Sequence, residues 1–578
     1  MIKKLASCIG EYKKDTILTP TFVILEVIME VIIPLLMAYM IDYGITPGDM
    51  SVILQLGIAL LISAGFSLVF GVLAGNYAAN ASSGFAKNLR QKMFYNVQNF
   101  SFANIDKFQT SSLITRLTTD VTNIQFSFQM IIRIAVRAPI MLVFSLVMAI
   151  LMSPKLSLVF LAVTPLLGLG LFFIIKYAHP MFRKVFKTYD KLNRVVQENL
   201  RGIRVVKSFV REDYEKEKFH NVSTEIFKNF SMAERIIAFN GPLMQFSIFS
   251  CILLISWFGA QLIVTDELTT GQLVGLFTYA MQILMSLMMV SMIFVMITIS
   301  RANAERIVEV LDEQPDINND DAKVYEVKDG SIVFKNVGFS YFNDPNKLVL
   351  EDINLEIKSG ETVGILGGTG SSKTTLVQLI PRLYDVTLGT VYVGGVDVRD
   401  YDIRSLRDQV AVVLQKNVLF SGTIKENLRW GNPNATDEEL VRVCKLAQAH
   451  DFIMQFPDQY DTYIEQGGSN VSGGQKQRLT IARALLKKPK IIIFDDSTSA
   501  VDTKTDALIR KAMYEEIPDT TKIIIAQRVS SIMDADKIVM MENGKIEAIG
   551  THDELLRTNP IYQEIYYSQT KEDQSDEA

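Results

Sequence analysis

Cysteine is scarce: Cys8, Cys251 and Cys444 are three in 578 residues, widely separated and odd in number. That excludes a disulfide framework and offers no metal-ligand spacing. Charge excess is also missing, since 58 basic and 63 acidic side chains leave a net −5, which argues against a nucleic-acid role. The opening MIKKLASCIGEYKKD has no small-residue cleavage site behind a short apolar core, so it reads as a retained cytoplasmic segment and not a removed signal peptide. The chain is too long for one ordinary domain. Its mean hydropathy, +0.21, is high for a soluble protein, and the apolar residues are unevenly spread.

The first half holds the long apolar runs. Six stretches, 17–41, 52–76, 128–152, 157–178, 242–264 and 272–298, meet the roughly 20 apolar residues a bilayer span needs. The loops near 42–50 and 265–270 contain no Lys or Arg. By contrast, 79–127 holds Lys87, Arg90, Lys92, Lys107 and Arg116, and 179–240 is richer still. The positive-inside rule therefore expects both long loops, and the N-terminus, in the cytoplasm. Those loops show helical periodicity with few breakers, so the helices should continue beyond the bilayer. A polar, proline-containing linker is expected at 311–328, an α/β domain over 329–567, and a charged, disordered tail over 568–578.

The α/β region carries the chemistry. Gly367-Gly368-Thr369-Gly370-Ser371-Ser372-Lys373-Thr374 follows the apolar run Thr362–Leu366 and precedes the helical pattern from Thr375 to Leu383. Strand, loop, helix is the context of a phosphate-binding loop. Backbone N–H groups at a helix N-terminus suit phosphate oxygens, Lys373 brings positive charge to the outer phosphates, and the Thr374 hydroxyl suits Mg²⁺. Ser372 stands where the motif expects glycine, and is tolerable only if its torsions suit an L-residue. Ile491–Phe494 reads as a buried strand ending on Asp495 and Asp496, the first a magnesium-holding carboxylate.

About a hundred residues after the loop comes Val471-Ser472-Gly473-Gly474-Gln475-Lys476-Gln477-Arg478. Loop, this second motif and the two-Asp strand end, in that order behind six spans, resemble the half-transporter layout of ABC exporters over essentially the whole chain. The resemblance implies an α-helical six-span membrane domain fused to an α/β P-loop nucleotide-binding domain, with ATP and Mg²⁺ as ligands. It implies that Ser472, Gly473, Gly474 and Gln475 form a phosphate clamp for an opposing domain, and that Tyr341 stacks on adenine, where the alternative is an ordinary strand tyrosine. Thr375 follows the loop within the ATP site, Gln415 is the glutamine that touches Mg²⁺ together with Thr374 and Asp495, and Ser499-Ala500-Val501-Asp502 crosses between domains.

Departures from the family pattern matter. Asp496 occupies the place of a Glu that polarises water, one methylene short, and Gln527 that of a switch His. Gln466 stands where exporters often carry Glu before the signature. The resemblance therefore points to the degenerate-site subunit of a heterodimeric multidrug exporter in the bacterial cell membrane, whose partner half-transporter supplies Glu and His. Its expected cargo is amphipathic compounds, with membrane lipid around it and no nucleic-acid partner. A lipid or peptide exporter, and a regulatory ATP-binding membrane subunit without transport, are the rivals.

Two further stretches, Phe108–Leu117 followed by Asp120, and Gln197–Phe209, resemble the intracellular loops whose short helices dock on nucleotide domains. Glu26 and Glu30, four apart on one face of the first span, either attract a cationic cargo or pair with Arg133 or Arg137. Met281, Met285, Met288, Met289, Met292 and Met296 suit an adaptable cavity or ordinary core packing alike.

Overall fold

The computed structural model describes residues 1–319, 322–496 and 501–576, with the side chains at 179, 183, 186, 190, 294, 295, 298, 299 and 570–576 left aside. The chain divides into a helical unit (1–99 and 109–313) and an α/β unit (100–108 and 314–578).

In the helical unit, six helices among the described residues are long and apolar enough to cross a membrane, and each covers all or nearly all of one expected span. The first is α1 (Lys13–Tyr39), which accommodates Pro20 and Pro34. Next, α2 (Met50–Gln98) starts where the Asp49 carboxylate accepts from Ser51 N and Val52 N. The third span belongs to α4 (Val121–Met152) and the fourth to α5 (Pro154–Arg201), which is launched by a Ser153 cap with proline at its first position. After α6 (Glu212–Ile237) come α7 (Asn240–Val264) and α8 (Thr270–Asp312). The 49 residues of α2 rise about 74 Å, far more than the ~30 Å hydrocarbon layer. The helices therefore extend past the membrane, as the breaker-free loops suggested. A buried apolar core that includes Val27, Phe160, Leu276, Tyr279 and Ile283 packs α1, α5 and α8 together, and buried Tyr279 donates to the Val31 carbonyl at 2.7 Å.

The two acids of α1 are paired. Arg137 Nη1 donates to Glu26 Oε1 at 2.5 Å, and Arg137 Nη2 reaches both Glu30 oxygens at 2.7 Å. Gly71 of α2 lies against this cluster, so close that an added Cβ would come within 3.1 Å of Glu26 Oε1. Of the two arginines considered, Arg137 is the ion-pair partner.

The docked short helix is not the one expected. Helix α3 (Phe102–Lys107) belongs to the α/β unit, whereas 109–120 returns to the helical unit. There Asp120 binds Arg306 and Arg116 binds Glu309. A reciprocal Ser101–Asn104 cap starts α3, Asn104 donates to the Gln314 carbonyl, and Ala103 packs on the α/β core. The second stretch does break, with α5 ending at Arg201 and a new short helix running Ile203–Ser208 beyond Gly202.

The α/β unit is built on two sheets. Strands β1 (Ile332–Phe339), β2 (Leu350–Ile357), β4 (Leu388–Val393) and β5 (Val396–Asp397) form an antiparallel sheet in the order β2-β1-β4-β5. The larger sheet contains β3 (Thr362–Leu366), β6 (Val410–Val413), β7 (Ile491–Asp495), β8 (Thr521–Ile525), β9 (Lys537–Glu542) and β10 (Lys545–Gly550), ordered β10-β9-β3-β8-β7-β6. All neighbours pair in parallel except β10 with β9. Every residue of β3, β7 and β8 is buried, as parallel strands covered on both faces require. The carboxyl ends of these central strands are where such sheets present ligand sites.

Two boundary expectations are corrected. Much of the proposed linker adheres to the α/β unit: Val324 bridges to Tyr401 and Val327 is buried in its core. The tail does not lose structure at 568, because the C-terminal helix α12 (Pro560–Asp576) runs on as far as Asp576. No Pro or Gly interrupts the helix-forming Gln, Lys and Glu there.

Candidate nucleotide site

The loop 367–372 leaves the end of central strand β3. Gly367 is obligatory there, since a Cβ would lie 2.3 Å from the Met541 carbonyl oxygen. The loop ends on helix α9 (Lys373–Gln378), whose cap is Ser372. Ser372 has φ 69° and ψ 24°, the left-handed conformation that glycine adopts without cost. The departure from the motif is thus a strained position, and the condition set for a serine there is not met.

Lys373 Nζ folds over the loop, donating to the Gly367 and Gly368 carbonyls at 2.8 Å and to Ser371 Oγ at 3.1 Å. Burial pushes its ammonium below the usual lysine range, against the opposing pull of Asp496 and Asp495. Thr374 Oγ1 donates to Asp495 Oδ1 at 2.8 Å. Burial raises the Asp495 carboxyl above the ordinary range; the Thr374 hydrogen bond works against this and Asp496 adds to it.

Beyond Asp495 the chain turns sharply. Asp496 has φ 47°, and its N–H donates to the Ile525 carbonyl at 3.0 Å. Two amides converge on its carboxylate: Gln527 Nε2 reaches Oδ2 at 2.8 Å and Gln415 Nε2 reaches the same oxygen at 3.0 Å. Strand ends β6, β7 and β8 thus bring Gln415, Asp496 and Gln527 to one point from positions 81 and 31 residues away in sequence.

Tyr341 lies beside the same loop. Its hydroxyl is 2.8 Å from Thr375 Oγ1, and its ring, 42% exposed, meets Tyr384 edge-on at 5.3 Å. Tyr384 in turn donates to Asp106 Oδ2 of α3 at 2.6 Å and lies 6.0 Å from Phe102. Burial, with Asp106 beside it, raises the Tyr384 phenol far above its usual range. Sequence reasoning missed Tyr384, because nothing local distinguishes it from any tyrosine after a helix.

Ser472–Gln475 form a second locus, at the start of helix α10 (Gly473–Leu486). Ser472 Oγ accepts from Gln475 N, and Gln475 Oε1 accepts from Ser472 N at 2.9 Å. The serine and first glycine are exposed, leaving the helix start open to an opposing surface. Gln466 is exposed just upstream, followed by Gly467 and Gly468 in left-handed conformations. Ser499 and Ala500 lie outside the described residues, whereas Asp502 caps α11 (Thr503–Glu516) by accepting from Thr505 N at 2.9 Å.

A magnesium nucleotide suits this donor set. Lys373 holds three acceptors that it can exchange for phosphate oxygens, and a Cβ at Gly368 or Gly370 would meet no atom within 4 Å. Thr374 and Asp495 pair a hydroxyl with a carboxylate, both hard oxygen ligands. Among the described residues no group of three or more His, Cys, Asp or Glu forms a metal cage. Mg²⁺ does not need one, since it takes one or two carboxylates together with phosphate oxygens and water.

The comparisons agree with this geometry. The description "ABC transporter transmembrane region" matches residues 16–287, and "ABC transporter" matches 350–499. The chain is 37% identical over 526 residues, 91% of both chains, to the uncharacterized ABC transporter ATP-binding protein YfiB of Bacillus subtilis. It is 33% identical over 507 residues, 86% of this chain and 87% of the other, to the ATP-dependent lipid A-core flippase of Desulfotalea psychrophila. In fold it resembles a bacterial Atm1-family ABC exporter solved with ATP bound, with a TM-score of 0.83 at 24% identity over 96% of this chain and 99% of that one. The chain belongs to the ABC transporter family, as an exporter-type half-transporter that carries its membrane-spanning and ATP-binding domains on one polypeptide.

Proposed function

We propose that this chain is the degenerate-site subunit of a heterodimeric exporter that moves amphipathic compounds out of the cytoplasm. The observation that carries the proposal is the replacement at one site of both water-handling groups, with Asp496 and Gln527 bonded to each other. A carboxylate one methylene short holds its oxygen roughly an ångström from where a Glu would, and misplacement on that scale costs about 10²-fold in rate. One oxygen of Asp496 is also engaged by both Gln415 and Gln527. Gln527 hydrogen-bonds as a histidine does, but carries no imidazolium charge.

The binding groups are intact on this reading. Gly367–Ser371 and the start of α9 cradle phosphates, Lys373 neutralises them, Thr374, Asp495 and Gln415 hold Mg²⁺, Thr375 supports the loop, and Tyr341 stacks on the base. Bound ATP-Mg²⁺ supplies the phosphoryl charge that ties two nucleotide domains together. Ser472–Gln475 then complete the partner's site, where the partner's own phosphate loop, Glu and His hydrolyse ATP. The N-terminus and the α/β unit lie in the cytoplasm, as the Lys and Arg distribution indicates.

The purified chain alone should bind ATP and hydrolyse it slowly, and Asp496→Glu with Gln527→His should raise turnover in the complex. Brisk ATPase activity and vesicle efflux by the self-associated chain would overturn the proposal. Lipid cargo is the second reading, favoured by the relative named as a lipid A-core flippase. It predicts ATPase stimulation by lipid A and not by cationic dyes.

A further inference from the structure

We propose that Gln569, in the stretch expected to be a disordered tail, is a positioning residue that locks the backbone of the segment carrying Gln527. A primary amide presents a donor and an acceptor side by side, and Gln569 uses both. Its Nε2 donates to the Gln527 carbonyl at 2.9 Å, and its Oε1 accepts from Val529 N–H at 2.8 Å. The two backbone groups belong to residues i and i+2, the spacing one strand offers to a neighbour, so Gln569 caps the chain where the sheet has ended. Strand β8 stops at Ile525, and Ala526 N–H makes the last contact with β3, to the Ile365 carbonyl. From there, Gln527 and Arg528 are exposed until Val529, 1% exposed, re-enters the core.

Helix α12 delivers Gln569 to this point for a packing reason. Tyr562 is fully buried, with its hydroxyl 2.7 Å from His552 Nδ1. Ile565 and Tyr566 pack on the same core as Val529 and Ile532. Positions 562, 565, 566 and 569 share one helix face, so the anchor that seats α12 also aims Gln569 at the loop. The Gln527 side chain then reaches Asp496. The chain of contacts Gln569, Gln527 backbone, Gln527 amide and Asp496 joins helix α12 to the ATP site.

The inference rests on Gln527 facing the nucleotide, and the experiment separates the two ideas. Full-length chain, assembled with its partner half-transporter in lipid nanodiscs, is compared by hydrogen exchange and by titration with ATP-Mg²⁺ under non-hydrolysing conditions. Gln569→Ala should speed exchange at Val529 about five- to tenfold, the loss of one net hydrogen bond, while peptides from 560–567 keep their protection. It should also raise the half-saturating ATP concentration a few-fold, and Gln527→Ala/Gln569→Ala should add nothing to Gln527→Ala alone. Gln569→Glu keeps the acceptor for Val529 and loses the donor to Gln527, so exchange at Val529 should stay slow while half-saturation still rises. Unchanged exchange at Val529 in Gln569→Ala overturns the lock. Equal acceleration throughout 560–567 also overturns it, because it assigns Gln569 to helix anchoring. If Gln527→Ala leaves ATP binding untouched while Gln569→Ala still frees Val529, the lock stands and the reading of Gln527 fails.

Discussion

Removing Arg137 should be among the most damaging single changes in the membrane-spanning unit, and removing its whole cluster far less so. Arg137 binds Glu26 through one nitrogen and both oxygens of Glu30 through another. The side chains are 24%, 9% and 25% exposed for Arg137, Glu26 and Glu30. Among the described residues Glu26 Oε2 is buried without a hydrogen-bond partner, so there this acid has no second donor to fall back on. Breaking such a cluster by deleting one partner costs about 3–5 kcal/mol, because the remaining charge is stranded, whereas replacing all members by hydrophobic residues of similar volume is often neutral or stabilising. Arg137→Met should therefore shorten the thermal half-life of the reconstituted protein sharply. The triple variant Arg137→Met/Glu26→Met/Glu30→Met should recover most of it. Thermal inactivation followed by size-exclusion chromatography reads both, as a rate and not as an equilibrium. A single variant as durable as the parent, or a triple no better than the single, would refute the argument. The pairing also bears on cargo: one arginine against two carboxylates leaves the cluster with a net negative charge, so Glu30→Gln should reduce efflux of cationic dyes more than of neutral ones, and equal losses would refute a role in cation selection.

Ser372→Gly should relax the left-handed cap of α9 and stabilise the ATP-binding unit by up to about 1 kcal/mol, since a Cβ in that conformation costs about 1–2 kcal/mol and glycine returns part of the gain as chain entropy. ATP-dependent thermal protection reads the change, and a loss of stability would count against strain at Ser372. Tyr384→Phe removes the bond to Asp106 but keeps the edge-on contact with Tyr341. It should leave ATP affinity near that of the parent and weaken transport per ATP hydrolysed, whereas Tyr341→Ala should lower affinity itself. Equal affinity losses in the two variants would contradict that division.

Much of this architecture was legible in the residues, for definable reasons. Apolar runs of bilayer length are local features, so all six spans fall inside helices of the expected kind. The phosphate loop is likewise local, because strand, glycine turn and helix are consecutive. The convergence on Asp496 depended on resemblance, since Gln415 and Gln527 arrive from separate strands of one sheet. Choices between equivalent local options were not legible. Arg133 and Arg137 are one turn apart on the same face, and only the packing of α1 against α4 selects Arg137. The docked helix at 102–107 has no familiar signature in sequence, because its cap uses Asn104 in place of Glu or Gln. Charge alone marks the tail in sequence, and Gln569 lies just beyond the apolar stripe Tyr562, Ile565, Tyr566 that seats it.

The departures from the family pattern sort by what each group does. Lys373, Thr374 and Asp495, whose task is to hold phosphate and Mg²⁺, keep the expected types and are already knit together by the Thr374–Asp495 bond. Asp496 and Gln527, which on the proposed reading handle water and developing charge, are replaced and bond to each other, and the further departures at Ser372 and Gln466 change neither Lys373, Thr374 nor Asp495. On that reading the site keeps its grip and loses its water chemistry, and so retains nucleotide longer than it turns it over. On the proposed reading that makes this half of the dimer a latch: ATP held here keeps the two domains engaged while the partner's site, completed by Ser472–Gln475, runs its cycle. Because both amides meet one Asp496 oxygen, Asp496→Glu and Gln527→His alter a single constellation, and their effects on turnover should exceed the product of the single changes.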